Sequence, residues 1–265
     1  MPTYEHIVVP MAPSTDFSDN VSEKEKGTIL LDLAHDNAFD IEELNVLTSR
    51  LISRGLTISF SSKKDEEGDL EKELSEADTY IVVCPQLEFS KEETETVGKF
   101  VNNGRKLLLI ADPTRPSQIN SISLKFGLIF EPDYLYNMKE NDANYRNIFV
   151  TEFTENEITK HLEKIALYTA GSITSDNCSI VLVDENTFSS IIETRRELAP
   201  VALANESKVL AIYDLTFMTD MTEPYNGILD NNQLISNIAD WLAKPTKKVE
   251  KEELEAPETG QPPSP

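Results

Sequence analysis

This sequence contains little cysteine, few basic residues and no long apolar run, and each shortage excludes a class of protein. The two cysteines, Cys84 and Cys178, are far apart and have no C-x-x-C spacing, so the sequence supports neither a disulfide framework nor a structural zinc site. No apolar stretch approaches the roughly 18 residues that cross a bilayer, so we expect no membrane-spanning segment. The N-terminus lacks the basic and apolar regions of a secretory signal, which predicts a cytoplasmic protein.

Acidic residues dominate the charge of the chain. There are 47 Asp and Glu against 24 Lys and Arg, and the formal net charge is −23 at pH 7. Binding to a phosphate backbone depends on clustered Lys and Arg, so this balance argues against nucleic acid as a ligand. We therefore expect neutral or basic partners, above all other proteins, and we expect no cofactor.

Composition divides the chain into three parts. Residues 1–26 hold one short apolar run followed by a polar stretch, and we interpret them as an N-terminal arm. Residues 27–244 alternate apolar runs with helical patterns, which predicts one folded domain. Residues 245–265 are acidic, rich in proline and poor in large aliphatic side chains. Because they cannot bury enough surface to offset the entropy of ordering, we predict a disordered tail.

Apolar strands alternate with amphipathic helices in the first half of the domain. Strands are predicted at TILLDLA, LTISF, TYIVVCP and KLLLIAD. Helices are predicted over Asp40 to Arg54, where Asp40 and Glu43 fit a capping box, over Leu70 to Ala77, and over Lys91 to Asn102. Near-continuous apolar strands between helices indicate a parallel sheet covered on both faces. The sequence therefore predicts an α/β fold with a doubly wound, mainly parallel open sheet.

The second half of the domain is less periodic. Several segments have the pattern of strands joined by short polar turns, which predicts antiparallel additions to the sheet. A last helix is predicted with Asp230 or Asn231 as its cap and with Leu234, Ile238 and Trp241 on one face. We expect this helix to pack on the sheet and Trp241 to anchor it in the core.

Candidate site residues follow the strands, because ligands of open parallel sheets bind beyond the carboxyl ends of the strands. The candidates are His35, Asn37, Cys84, Gln86, Asp112, Thr114, Arg115, Asp214 and Thr216. Together they offer an imidazole, a thiol, carboxylates and a guanidinium to one crevice.

Each of these residue types also has a structural interpretation. His35 could act as a general base, but a His in such a turn more often satisfies backbone groups. Asp112 and Asp214 could hold a cation, although an Asp that ends a strand often caps the following turn, and we predict no metal. Cys84 fits a small buried residue better than a nucleophile. For Arg115 we expect a pairing with Asp112 in preference to a ligand anion.

The order of these elements and their junction residues resembles the class I glutamine amidotransferase-like superfamily. The matching stretches are ILLDLAHDN, ADTYIVVCPQLEFSKEETETVGKFVNNGRKLLLIADPT, VLAIYDLTFMTD and LDNNQLISNIADWLA, within residues 27–244. More narrowly, the chain is similar to an uncharacterised prokaryotic family. That family is related to gliding-motility auxiliary subunits of ABC transport systems and to the N-terminal domain of an intraflagellar-transport subunit. The resemblance implies a flavodoxin-like fold and an accessory role in an assembly.

The catalytic residues of active members of that superfamily are missing from the corresponding positions. Their G-x-C-x-G nucleophile elbow follows the fourth strand, where this chain has I-A-D-P-T-R with Asp112 and Pro113. A His-x-Glu pair should follow a late strand, but Y-D-L-T-F stands there and no histidine occurs after His161. Cys84 matches instead the strand whose following loop helps to form the oxyanion hole in active relatives. The resemblance therefore implies a non-catalytic branch, and we assign no catalytic residue.

Two functions remain open. The favoured hypothesis is a non-catalytic binding or scaffold domain, accessory to an ABC-type transport system or another multi-protein assembly, with transporter subunits as candidate partners. The alternative is a small-molecule-binding sensor, or a hydrolase of different chemistry, that uses the crevice at the strand ends. A sensor requires His35, Asp112, Arg115 and Asp214 to converge in a solvent-open pocket, whereas mutually paired side chains favour the scaffold.

Overall fold

The computed structural model describes residues 19–22, 27–61, 69–192, 197–221 and 223–244. Most of the predicted arm and the whole of the predicted disordered tail, 245–265, lie outside the described residues. The described part of the arm contacts the domain. The Ser22 N–H donates to the Ser53 carbonyl at 2.8 Å, and Asp19 forms ion pairs with Arg50 and Arg54.

Strands and helices alternate in the first half and strands follow one another in the second. The strands are β1 (Gly27–Leu31), β2 (Leu56–Phe60), β3 (Thr79–Val83), β4 (Lys106–Ile110), β5 (Ile129–Phe130), β6 (Leu135–Asn137), β7 (Asn147–Val150), β8 (Glu152–Phe153), β9 (Ile165–Tyr168), β10 (Ile173–Thr174), β11 (Ser179–Leu182), β12 (Thr187–Ser189), β13 (Val201–Ala204) and β14 (Val209–Ile212). The helices are α1 (Asn45–Ser53), α2 (Leu70–Glu76), α3 (Lys91–Asn102), α4 (Asn120–Ser123) and α5 (Asn231–Ala243).

The central sheet runs in the order β2-β1-β3-β4-β14-β13-β11-β8. Its first five strands are parallel to one another. This half has the flavodoxin-like order, in which the chain winds outward in both directions from its first strand. The predicted α/β fold with a mainly parallel open sheet is confirmed.

The central parallel strands, β3 and β4, are mostly apolar because helices cover both faces of the sheet. All residues of β3 and β4 are buried. On one face, α1 and α5 pack against each other and contribute Leu51 and Trp241 to the core. On the other face, α2 packs with α3, which contributes Val97 and Phe100. Trp241 is 1% exposed and its indole N–H donates to the Ser207 carbonyl at 3.0 Å, so its predicted role as a core anchor is confirmed.

The second half adds antiparallel strands, as predicted. β13 pairs with β14, β11 with β13 and β8 with β11, all antiparallel. Two-stranded ribbons, β5 with β10, β6 with β12 and β7 with β9, lie outside the main sheet. These short strands belong to the part of the sequence that lacks a regular pattern.

Local capping signals place several helix starts. The predicted helix from Asp40 begins as a 3-10 turn, Ile41–Leu44, with the predicted capping box between Asp40 and Glu43, and continues as α1. The prediction for Asp230 is only partly right. It is the N-cap residue of α5, but its carboxylate accepts from the N–H groups of Glu163 and Lys164 and not from the helix. None of the helices in the described ranges combines the length and apolar character needed to cross a membrane.

Candidate functional site

The carboxyl ends of β1, β3, β4 and β14 meet at one edge of the sheet, because these strands are parallel. The predicted site residues all follow these strands. His35 and Asn37 come after β1, Cys84 and Gln86 after β3, Asp112, Thr114 and Arg115 after β4, and Asp214 and Thr216 after β14.

Asp32, which sequence reasoning did not select, is the centre of a buried polar cluster. Its carboxylate accepts hydrogen bonds from His35 Nδ1 (3.0 Å), Asn37 Nδ2 (3.0 Å), Ser61 Oγ (3.2 Å) and the Tyr80 hydroxyl (2.8 Å). Burial by itself would raise the pKa of Asp32, but these hydrogen bonds, the one from His35 first, hold that pKa below its usual value. An ionised carboxylate therefore organises the loop that follows β1.

The His35 imidazole is held inside the protein. It is 1% exposed and its ring stacks on Phe89 with centroids 3.6 Å apart. Within the described residues its Nε2 has no hydrogen-bond partner, and Glu93 Oε1 lies 3.6 Å away. A general base must reach the proton that it abstracts, directly or through one water. His35 instead lies between the carboxylates of Asp32 and Glu93.

Cys84 and Gln86 hold loops together. Cys84 has a backbone φ of 42°, in the left-handed region, and its side chain is fully buried. Burial and then the negative charge of Asp112 raise the pKa of the thiol to about 12, so it remains protonated and is not a nucleophile at neutral pH. The Gln86 side-chain amide donates to the Asp36 carbonyl at 2.8 Å, and its backbone N–H donates to the His35 carbonyl at 2.9 Å.

Asp112 follows β4, at the position that the resemblance compares with a nucleophile elbow, and joins the ends of β4 and β14. Its carboxylate accepts from the Thr114 N–H (2.9 Å) and hydroxyl (2.5 Å) in its own turn. From the end of β14 it accepts the Leu215 N–H (3.2 Å) and the Thr216 hydroxyl (3.4 Å). The buried carboxylate therefore has its acceptor positions occupied by the protein itself.

The expected pairing of Arg115 with the Asp112 side chain is wrong. Arg115 donates from Nη1 to Glu43 Oε2 (2.7 Å) and from Nη2 to Glu43 Oε1 (2.5 Å), and Nη1 also donates to the Ala38 carbonyl (3.0 Å). A bidentate pair of this kind is stronger than a single contact, and Asp112 is already occupied by other donors. Glu43 also accepts from the Asp40 N–H at 2.9 Å, so one carboxylate closes the capping box and binds the guanidinium.

Asp214 is fully buried beside Asp112. It accepts from the Tyr168 N–H (2.6 Å) and the Phe217 N–H (3.3 Å). Burial, and then the charge of Asp112, raise the pKa of Asp214 well above its usual value. The part of the chain that the structure describes contains no group of three or more His, Cys, Asp or Glu placed to hold a metal ion.

A cavity of about 410 Å³ opens next to the turn after β4. Its walls include Pro113, Arg115, Phe130, Asp133, Tyr134 and Tyr213. Of the predicted site residues only Arg115 lines it. Burial and then the charges of Asp133 and Asp112 raise the pKa of Tyr213 to about 12, so its hydroxyl stays protonated. Sequence reasoning missed this cavity because Tyr213 belongs to an apolar strand pattern and the segment around Tyr134 has no periodicity.

Comparison with known proteins gives a fold but no family. No protein-family model and no curated protein sequence matches the chain. The mmIFT52 N-terminal domain is similar in structure, with a TM-score of 0.65 and 16% sequence identity over 82% of this chain and 98% of that domain. At this identity the likeness shows a shared fold alone.

Two further solved structures are similar with lower scores. A ThuA-like protein from Parabacteroides merdae ATCC 43184 has a TM-score of 0.47 and 12% identity, covering 83% of this chain and 91% of that chain. The exo-β-1,4-mannosidase Op5Man5 from Opitutaceae bacterium strain TAV5 has a TM-score of 0.44 and 14% identity, and the match covers 84% of this chain and 36% of that chain. Neither likeness is close enough to add to the fold assignment.

Proposed function

We propose that this chain is a non-catalytic binding domain that serves a multi-protein assembly in the cytoplasm. One observation carries the proposal: the polar side chains at the carboxyl edge of the sheet are bonded to other groups of the same fold. His35 binds Asp32, Arg115 binds Glu43, and Asp112 accepts four donors. A ligand site presents free polar groups to a cleft, whereas these groups already have partners within the fold. This includes Arg115, which lines the cavity but is held by Glu43.

The same geometry disfavours amidotransferase chemistry. Attack on an amide needs a thiolate close to an imidazole and N–H donors that face the developing oxyanion. The elbow position holds Asp112, whose carboxylate would repel an oxyanion. The Cys84 thiol is fully buried with a pKa of about 12, and His35 is 1% exposed. The residues that the structure describes at this edge therefore support a domain without this activity.

The accessory role in an assembly is supported by sequence resemblance and by charge. The stretches that resemble an amidotransferase-like family include β3, β4, β14 and most of β1, which are parallel strands of the sheet, together with the helices α3 and α5. A chain with a formal net charge of −23 favours neutral or basic partners. Subunits of an ABC-type transport system are the partners that the resemblance suggests.

The alternative, a small-molecule sensor, has one observation in its favour. The cavity of about 410 Å³ falls in the range of about 300–1,000 Å³ typical of ligand sites. It is lined by aromatic rings and by Arg115, but Arg115 is occupied by Glu43. A sensor would therefore use this cavity and not the crevice predicted from the strand ends.

Ammonia release from glutamine tests the non-catalytic part of the proposal. Wild type, Cys84→Ala and the matched control Cys178→Ala should all release ammonia at the rate of buffer alone. Turnover in wild type that is lost in Cys84→Ala but kept in Cys178→Ala would overturn the proposal.

Affinity purification of the native protein under mild conditions, followed by quantitative mass spectrometry and reciprocal purification, tests the binding part. We expect one or more proteins at near-stoichiometric ratio that recover this chain when they are purified in turn. A chain that elutes alone, while a thermal-shift screen finds a stabilising small molecule, would favour the sensor.

A further inference from the structure

The ribbon formed by β6 and β12 has a partly inverted pattern of burial. In a ribbon with one covered face, apolar residues normally face inward and polar residues face solvent. Here the inward side buries Leu135 together with three polar residues, Asn137, Thr187 and Ser189, whereas Phe188 is 46% exposed. Phe188 lies opposite Tyr136 in the strand register, and the two rings are 5.8 Å apart. The outward side of this ribbon is therefore aromatic.

Buried hydrogen bonds fix the ribbon in this orientation. Asn137 Nδ2 donates to Asp184 Oδ1 and to Thr187 Oγ1, both at 2.9 Å. The Ser189 hydroxyl donates to Asp133 at 2.5 Å, and the buried Asp133 carboxylate also accepts from Ser172. If the ribbon faced the other way, these polar groups would lose their hydrogen-bond partners. A buried polar group without a partner lowers stability by more than one hydrogen bond contributes. The aromatic side chains are therefore held outward by the structure.

Four rings form one continuous surface, which we call the tyrosine face: Tyr134, Tyr136, Tyr145 and Phe188. Tyr136 is its centre, with the Tyr134 ring at 6.4 Å and the Tyr145 ring at 6.3 Å. Tyr145 is 43% exposed, and Tyr134 also lines the cavity of about 410 Å³. Aromatic residues at this density mark interface cores and binding hot spots.

The tyrosine face already holds one guanidinium. The Arg146 guanidinium carbon lies 4.4 Å from the Tyr134 ring centroid and 5.6 Å from that of Tyr145, within the range of cation–π attraction. The flanking sequence is acidic. Residues 129–150 and 184–190 contain six acidic and two basic residues, which leaves four net negative charges. Rings and charge at this face favour the same kind of group, a cation with a planar apolar surface.

We propose that the tyrosine face binds an arginine-bearing basic segment of a partner protein. Guanidinium groups would stack on the rings of Tyr136, Tyr145 and Phe188, and the acidic flanks would attract the segment and set its orientation. The inference rests on the proposed binding function and names the surface that carries it. A second copy of this chain is disfavoured as the occupant, because two chains of the same high negative charge repel each other.

The test is a titration with a short fluorescein-labelled peptide of alternating arginine and glycine, followed by anisotropy at about 0.15 M salt. The variants are Phe188→Ser, Tyr145→Ser and their combination, and Phe60→Ser is the matched control because Phe60 is 48% exposed on β2. All these substitutions leave the charge unchanged, so a loss of affinity reports the rings and not the acidic surface. Circular dichroism and thermal midpoints check that each variant is folded.

We expect the double variant to raise the dissociation constant about tenfold, Phe60→Ser to bind like wild type, and Phe188→Tyr to keep the wild-type affinity. Equal affinity of wild type and double variant would overturn the proposal. Equal binding of a neutral proline–glycine peptide would also overturn it, in favour of a proline-rich occupant. The proposal would also be overturned if sedimentation showed a dimer of the wild type and a monomer of the double variant, because the occupant would then be a second copy of this chain. Glutamine turnover by the wild type would refute the proposed function itself. Equal peptide affinity of wild type and double variant, without glutamine turnover, would refute only the assignment of binding to the tyrosine face.

Discussion

Arg54→Met tests the buried ion-pair network that joins the start of the described chain to two helices. Arg54, just after α1, is 1% exposed. It donates from Nε to Asp240 (2.8 Å) and from Nη2 to Asp19 (2.5 Å) and to the Ser236 hydroxyl (2.7 Å), while Nη1 donates to the Arg50 carbonyl (3.0 Å). Methionine keeps an unbranched apolar chain at this site but removes every donor.

The stability lost in Arg54→Met depends on how well the carboxylates of Asp19 and Asp240 are solvated or paired once Arg54 is gone. Removing one partner of a buried ion pair costs about 3–5 kcal/mol because the other charge is left uncompensated. The side chains of Asp19 and Asp240 are each 22% exposed, so water would solvate them in part. Asp19 would also keep its ion pair with Arg50, and Asp240 its hydrogen bond from the Asn20 amide. We therefore expect a loss of about 2–4 kcal/mol in the free energy of unfolding, measured by urea denaturation at pH 7.

The dependence of this loss on pH has a defined sign. Burial is the largest influence and tends to raise the pKa of Asp19 and of Asp240. The hydrogen bonds and charge of Arg54, together with hydrogen bonds from Ser236 to Asp19 and from Asn20 to both carboxyls, hold both pKa values below the usual value. A carboxyl whose pKa is lower in the folded state contributes stability above its unfolded pKa, and this stability is lost as the pH falls through the folded pKa. The gap between wild type and Arg54→Met should therefore narrow below about pH 4.

The control for this experiment is Lys125→Met, which removes a more exposed pair with Glu95 and should cost much less than Arg54→Met, because solvent screens an exposed pair. A loss for Arg54→Met no larger than that of the control, or a gap that stays constant down to low pH, would refute the reasoning.

Three further outcomes are expected. Trp241→Ala should lower the free energy of unfolding by about 3–5 kcal/mol, because it leaves a large cavity in the core. Tryptophan fluorescence of the native wild type with the emission maximum of a solvent-exposed indole would contradict this. In the native protein at pH 8, a disulfide reagent should modify Cys178, which is partly exposed, while fully buried Cys84 reacts only in urea; rapid reaction of both thiols would disprove the burial. Removal of residues 245–265 should change the thermal midpoint by less than about 2 °C, and a drop of several degrees would show that the predicted tail contributes to the fold.

The parallel half of the fold was predictable because its signals are local. Ser90 and Glu93 form a capping box at the start of α3, which spans the predicted Lys91–Asn102. Apolar runs of strand length between such helices are compatible with few arrangements other than a covered parallel sheet. For the same reason the position of the candidate site residues, at the carboxyl edge of the sheet, could be predicted.

The partners of these residues could not be predicted from local sequence. Asp32 lies within the apolar run ILLDLAHDN, and its role depends on Ser61 and Tyr80, which come from other strands. Arg115 pairs with Glu43 only because the fold brings the turn after β4 to the start of α1. The ribbon of β6 and β12 consists of three-residue strands, too short to show a period.

Asp112 shows why a single substitution would not give this edge amidotransferase chemistry. Its carboxylate accepts the N–H groups of Thr114 and Leu215, so it connects the end of β4 to the end of β14. A cysteine at this position would leave these donors with a weak acceptor, and a buried donor without a partner costs about 1–3 kcal/mol. It would also lie beside the buried carboxyl of Asp214, and the His35 imidazole is already bonded to Asp32. The Asp112 carboxylate thus stabilises this edge of the sheet by joining the ends of β4 and β14. Because its acceptor positions are occupied there, the proposed binding function is better tested at the tyrosine face than at the strand ends.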